Sequence, residues 1–175
     1  FLAQKNAPIA LELPPVEVRG RRVVVLGGGD SAMDCLRTAL RCGAASAVCV
    51  YRRDLANMPG SRKEYANALE EGAQFQFLTN PLALLGNAAG EVTAVRCVRM
   101  ELGEPDASGR RSPIPIPGSE FEIKTDLVLL GGYIYPKTGV ALGPLTVRMM
   151  EEIHVHQTIL SVGGITVKGL FNGNL

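Results

Sequence analysis

The chain has no tryptophan, only two histidines and four cysteines among its 175 residues. Each shortage excludes something. No apolar stretch approaches the roughly 20 residues of a membrane-spanning helix. Lys and Arg number 18 against 17 Asp and Glu, for a formal net charge of +1. No global basic field therefore draws the chain toward nucleic acid or a membrane surface. Cys35, Cys42, Cys49 and Cys97 lie in apolar contexts, with spacings that match neither zinc pairs nor an iron–sulfur run. They read as buried free thiols of a protein in the reducing cytoplasm. His154-x-His156 would share one face of a strand, but no third ligand stands nearby, and the pair reads as surface, as does Glu151-Glu152. The chain opens on Phe1 without Met and stops at Leu175 just after a glycine-rich turn, which reads as a piece of a longer polypeptide.

What is present concentrates between Val23 and Arg53. Val23 to Leu26 forms an apolar strand, followed by the turn Gly27-Gly28-Gly29-Asp30-Ser31-Ala32 and a helix to Arg41. The turn fits G-x-G-x-x-G/A, the dinucleotide fingerprint of a Rossmann-like α/β fold. Gly27 permits the tight turn, Gly29 lets backbone approach a pyrophosphate, and Ala32 lets the helix pack close to the strand. The helix start offers free N–H groups and the positive end of its dipole. A second apolar strand, Ala47 to Tyr51, ends on Arg52-Arg53, with Asp54 after the pair and Arg62 further on. An NAD site places an acidic residue at this strand end. Guanidinium groups suit a 2′-phosphate instead. Two such arginines would favour NADPH over NADH by roughly a hundredfold or more.

A pass along the chain gives three regions. Residues 1–20, with Pro14-Pro15, read as a lead-in or linker. Residues 21–132 read as the nucleotide-binding domain, starting β-α-β-α-β. Asp30 is the expected cap of the first helix and Gly43 its stop. Ala32, Cys35, Leu36, Ala39 and Leu40 give that helix an apolar stripe. Ser61-x-x-Glu64 is a capping box opening a second helix from Arg62 to Glu71. Gly72 ends it, and Ala73 to Thr79 reads as the third strand. Leu82 to Leu85, Val92 to Leu102 and Phe121 to Lys124 then read as a three-stranded antiparallel β-meander inserted before a last parallel strand, Asp126 to Leu130. The loop Gly103 to Ser119 is rich in proline and reads as an exposed, polyproline-like excursion with Arg110-Arg111 at its tip. Residues 133–175 form a tail.

The runs Tyr51-Arg52-Arg53-Asp54-Leu55-Ala56-Asn57-Met58-Pro59-Gly60-Ser61-Arg62-Lys63-Glu64 and Arg96 to Arg111 resemble the small (beta) subunit of bacterial NADPH-dependent glutamate synthase. That family belongs to flavoproteins with two dinucleotide domains, the NADPH domain being inserted within the FAD domain. The resemblance spans about Val18 to Leu130. It implies that Gly27, Gly28, Gly29, Asp30, Ser31 and Ala32 hold the NADPH pyrophosphate. Arg52 and Arg53 would take the 2′-phosphate with Arg62 as a third contributor, and Gly131 and Gly132 would form a turn against the nucleotide. It implies an NADPH-dependent oxidoreductase that works as part of a larger protein. FAD and iron–sulfur clusters would belong to the intact parent, and the partners would be the parent's FAD domain and a glutamate synthase large subunit. No second fingerprint occurs here. Residues 133–175 match the family poorly: Gly169-Leu170-Phe171-Asn172-Gly173-Asn174 lacks the Asp with which the family's turn helps hold FAD. They read as a remnant of the FAD domain.

Two other readings remain. A stand-alone NADP-dependent dehydrogenase would use Tyr133-x-x-x-Lys137, but Pro136 would break the helix that pair requires. A non-catalytic NADPH-binding module is also compatible with a chain that lacks its flavin partner. No side chain is assigned as a catalytic acid or base, because in such a module the cofactors carry the chemistry.

Overall fold

A computed structural model describes residues 16–105 and 111–130, and beyond them the backbone of four short strands. Expectations on residues 1–15, Arg110, the Gly131-Gly132 turn, Lys137, Glu151-Glu152 and His154-x-His156 lie outside the described residues. The chain divides into two units, Phe1–Gly131 and Gly132–Leu175.

The first unit begins β1 (Arg22–Leu26), α1 (Asp30–Arg41), β2 (Ser46–Val50), α2 (Arg62–Glu70) and β3 (Gln74–Gln76). It continues with β4 (Thr79–Gly86), β5 (Val92–Pro105), β6 (Arg111–Pro115), β7 (Phe121–Lys124) and β8 (Leu127–Leu130). The parallel sheet runs β3-β2-β1-β8. This is the 3-2-1-4 order of a doubly wound dinucleotide fold. In register, Val24 of β1 lies between Val48 of β2 and Val128 of β8. Val23, Val24, Val25 and Leu26 are all buried, as expected of a central parallel strand covered on both faces.

Against this sheet α1 buries Ala32, Met33, Leu36 and Ala39. The expected stripe holds, with Cys35 and Leu40 half-buried at its margin, and the fully buried Met33 adds to it. Three aromatics pack together beside the sheet. Tyr65 of α2 meets Phe75 of β3 edge-on at 4.7 Å, and Phe75 stacks on Phe77 at 5.7 Å. The helices are joined by charge. Glu71 accepts from Arg37 Nε and Arg41 Nε, both at 2.8 Å, and Arg37 also pairs with Glu64. The arginine hydrogen bonds, Arg41 first, hold the Glu71 carboxyl below its ordinary range. Glu64 thereby serves Arg37 rather than closing a full capping box; Ser61 Oγ still accepts the Glu64 N–H at 3.1 Å.

Two expectations change. The third strand does not run through to Thr79. It ends at Gln76; the chain then bends at Leu78, the one described non-glycine residue with positive φ (+48°), and β4 starts just after. A left-handed backbone costs a leucine roughly 1–2 kcal/mol. The proline-rich excursion is not wholly a loop either. Arg111–Pro115 returns as β6, with Leu102 opposite Pro113 and Met100 opposite Pro115. β5 is 14 residues long and seats β4 along one edge and both β6 and β7 along the other. The antiparallel insertion thus has four strands, one more than the meander expected. Proline is tolerated in β6 because an edge strand need not donate on its outer side.

In the second unit β9 (Tyr133–Ile134) pairs antiparallel with β10 (Ala141–Leu142), and β11 (Gly164–Thr166) with β12 (Gly169–Phe171). Tyr133 therefore stands in a strand, not on the helix a Tyr/Lys dehydrogenase pair requires. No helix among the described residues is long and apolar enough to cross a membrane.

Candidate functional site

The carboxyl end of β1 is where ligands of open α/β sheets bind. There the chain turns through Gly27, whose φ of +134° only glycine adopts without strain. The Gly27 N–H donates to Val50 O at 3.1 Å, and its carbonyl accepts the Cys49 thiol at 3.0 Å. Burial pushes that thiol up to about 12, so Cys49 is a neutral packing group beneath the turn.

Gly28 and Gly29 face different surroundings. A Cβ on Gly28 would meet the Tyr51 ring at 2.7 Å and Met58 Cγ at 3.0 Å. A Cβ on Gly29 would meet nothing within 4 Å. Gly29, not Asp30, is the cap residue of α1, and no side chain caps the helix start. Its carbonyl accepts from Ala32 N–H at 2.9 Å and Met33 N–H at 3.2 Å. Asp30 is the first helical residue, and its Oδ1 accepts the Ser61 N–H at 2.7 Å. Ser31 is half-buried in the first turn, and Ala32 is buried against the sheet.

The segment after β2 folds back over this turn. Tyr51 covers Gly28 and donates from its hydroxyl to Asn57 O at 2.8 Å. Asp54 Oδ1 accepts from Asn57 N–H at 2.9 Å and Asn57 Nδ2 at 2.7 Å, and these bonds hold its carboxyl below the usual range, with the charge of Arg111 adding to the effect. Gly60 then donates its N–H to Gly28 O at 2.9 Å. Sequence reasoning missed this dock; a Cβ on Gly60 would come within 2.9 Å of the same carbonyl. Tyr51 and Met58 were likewise missed as the wall of the glycine turn.

The three arginines are placed differently. Arg52 is exposed. Arg53 is 9% exposed, and its Nε is buried with no hydrogen-bond partner among the described residues. Arg62 is exposed, one guanidinium nitrogen donating to Ala56 O at 3.1 Å. Gly131 and Gly132 lie outside the described residues, as does Arg110, while Arg111 opens β6.

A glycine turn after the first strand, an uncapped helix start and the 3-2-1-4 sheet define a Rossmann-like fold. Mycobacterium tuberculosis FprA in complex with NADPH shares that fold, with a TM-score of 0.55 at 18% identity over 71% of this chain and 43% of that one. Among curated proteins, the chain is 57% identical over 119 residues to AegA of Escherichia coli K12, which is named as an oxidoreductase, covering 68% of this chain and 18% of that protein. It is 52% identical over 133 residues to the NADPH glutamate synthase small chain of Halomonas elongata, covering 74% of this chain and 28% of that one. The Escherichia coli K12 small chain is 53% identical over 117 residues, covering 67% of this chain and 25% of that one. No protein-family model matches the chain. Over this segment the chain is a homologue of the glutamate synthase small chains and their oxidoreductase relatives, as residues 51–64 and 96–111 implied. It spans less than a third of the length of each of these relatives.

Proposed function

We propose that residues 21–132 form an NADPH-binding domain, part of a larger cytoplasmic flavoprotein oxidoreductase of the glutamate synthase small-subunit type. The observation that carries this reading is Gly29: its face is open, and it heads a helix with no side-chain cap. Backbone N–H groups of Asp30 and Ser31 there suit a pyrophosphate, aided by the helix dipole. Arg52, Arg53 and Arg62 follow the neighbouring strand and suit the 2′-phosphate, with Gly131 and Gly132 assigned to the nucleotide by resemblance. Arg52 and Arg62 are exposed, which leaves cationic groups open to a phosphate.

NADPH, when bound, supplies a hydride, for which the acceptor is FAD held outside this chain. The residues described here bind and orient; none acts as an acid or base. FAD, iron–sulfur clusters, the parent's FAD domain and a large subunit are the proposed further cofactors and partners. Parallel calorimetric titrations of the purified protein with NADPH, NADH and FAD test the reading. Tight NADPH binding with much weaker NADH is expected. Equal affinity for the two nicotinamide nucleotides, or binding of FAD in their place, would overturn it.

A further inference from the structure

Leu78 is more than a joint between two sheets. In a regular strand, successive N–H groups point to opposite sides, so a neighbour receives every second one. Here the N–H groups of Leu78 and Thr79 both reach the segment leaving β2. Leu78 donates to Arg53 O at 3.0 Å and Thr79 to Tyr51 O at 3.1 Å. The left-handed backbone at Leu78, φ +48°, turns two consecutive donors to one side. On its far side, the Leu78 carbonyl accepts the Met100 N–H at 2.7 Å, tying it to β5.

The Arg53 main chain is thus fixed to Leu78, which is itself anchored in the antiparallel sheet. The buried Arg53 Nε has no hydrogen-bond partner among the described residues, so the main-chain bond is the Arg53 anchor seen there. Thr79, beside Leu78, is fully buried and Met100 nearly so, which makes the attachment stiff.

We propose that Leu78 is a positioning residue for cofactor choice, its left-handed backbone setting the bend that presents Arg52 and Arg53 to a 2′-phosphate. The inference rests on the NADPH reading above and deepens it. The antiparallel insertion becomes the buttress of the arginine pair. A residue that resists the left-handed region would swing the Leu78 N–H off Arg53 O and let the pair drift. The glycine turn keeps anchors of its own, the Gly60 N–H on Gly28 O and the Tyr51 hydroxyl on Asn57 O.

The test is titration of NADPH and NADH into the wild type, Leu78→Val and Leu78→Gly. Valine is β-branched and disfavours the left-handed backbone, whereas glycine adopts it freely. Leu78→Val is expected to lose about tenfold or more in NADPH affinity, the share of one hydrogen bond to a charged group, with NADH unchanged. Leu78→Gly keeps the wild-type ratio, although it removes the whole side chain. A purely structural role would move both nucleotides together. Should the valine variant not fold, amide exchange of the wild type decides: NADPH slows exchange at the Leu78 N–H more than NADH does. A valine variant with the wild-type ratio, an equal loss for both nucleotides, or equal protection by both overturns the inference. A wild type with no preference for NADPH removes the underlying reading, and this inference with it.

Discussion

The carboxylate of Asp30 accepts the backbone N–H of Ser61 at 2.7 Å, so the first residue of α1 holds the cap of α2. One residue earlier, Gly60 donates to Gly28 O at 2.9 Å. Two adjacent anchors therefore fasten the 54–61 segment onto the glycine turn, and two helix starts are brought together by a side chain and a main-chain bond. Removing one anchor should loosen the segment without touching the arginines. Asp30→Ala is expected to cost about 1 kcal/mol, the typical net contribution of one hydrogen bond. Melting should fall by roughly 2–4 °C for a chain of this size. NADPH and NADH should weaken by the same factor, which thermal melts and paired titrations will show.

Arg52 and Arg53 are expected to differ when changed singly. Arg52 is exposed, so Arg52→Gln should leave stability within about 0.5 kcal/mol of wild type. Arg53 is buried with an unmatched Nε. An isosteric apolar replacement removes that mismatch, so Arg53→Met should melt no lower than wild type. Both variants should lose NADPH affinity selectively, and the double variant should lose roughly a hundredfold. A parallel loss for NADH would refute the 2′-phosphate assignment.

The two inner glycines of the turn separate folding from binding. On Gly28 a methyl group would overlap the Tyr51 ring, so Gly28→Ala should destabilise by about 1–3 kcal/mol through overpacking. Gly29→Ala meets open space and should melt like the wild type. Its methyl group would nevertheless stand where a pyrophosphate approaches, and NADPH binding should fall sharply. Denaturant titration beside calorimetry distinguishes the two effects.

Acid stability should depend on Asp126. Its carboxylate accepts the Arg22 N–H at 2.9 Å and pairs with the Arg22 guanidinium, and these bonds bring its pKa down to about 2. The unfolded value is about 3.9. A depressed folded value means the pair stabilises fully above the unfolded pKa and loses that contribution as pH falls through about 2. Asp126→Asn should accordingly narrow its stability gap from the wild type across pH 4 to 2, as followed by thermal melts.

Much of this was legible because the deciding signals are local. The apolar runs Val23–Leu26 and Ala47–Tyr51, with Gly43 and Gly72 as stops, suffice to write β-α-β-α-β. The alternative of a Tyr133/Lys137 dehydrogenase was set aside on the proline between them, and Tyr133 does stand in a strand. What escaped depends on tertiary context. Pro113 and Pro115 read as polyproline until the length of β5 provides an edge for them. Two adjacent arginines look alike in sequence although one is exposed and the other buried, and no local propensity favours the bend at Leu78 in a leucine. The docking of Gly60 on Gly28 joins residues that only the return of the 54–61 segment brings together.

The position of β1 between β2 and β8 has a consequence for synthesis on the ribosome. Arg22 and Asp126, which close the far edge, are separated by 104 residues. β2 can dock on β1 early, and α1 can cover one face. The other edge of β1, a row of open amide and carbonyl groups on a valine-rich strand, waits until Leu127–Leu130 has been made. The antiparallel insertion is translated during that interval. Nascent chains truncated before Leu127 should therefore bind chaperones and aggregate more readily than chains extended past Leu130.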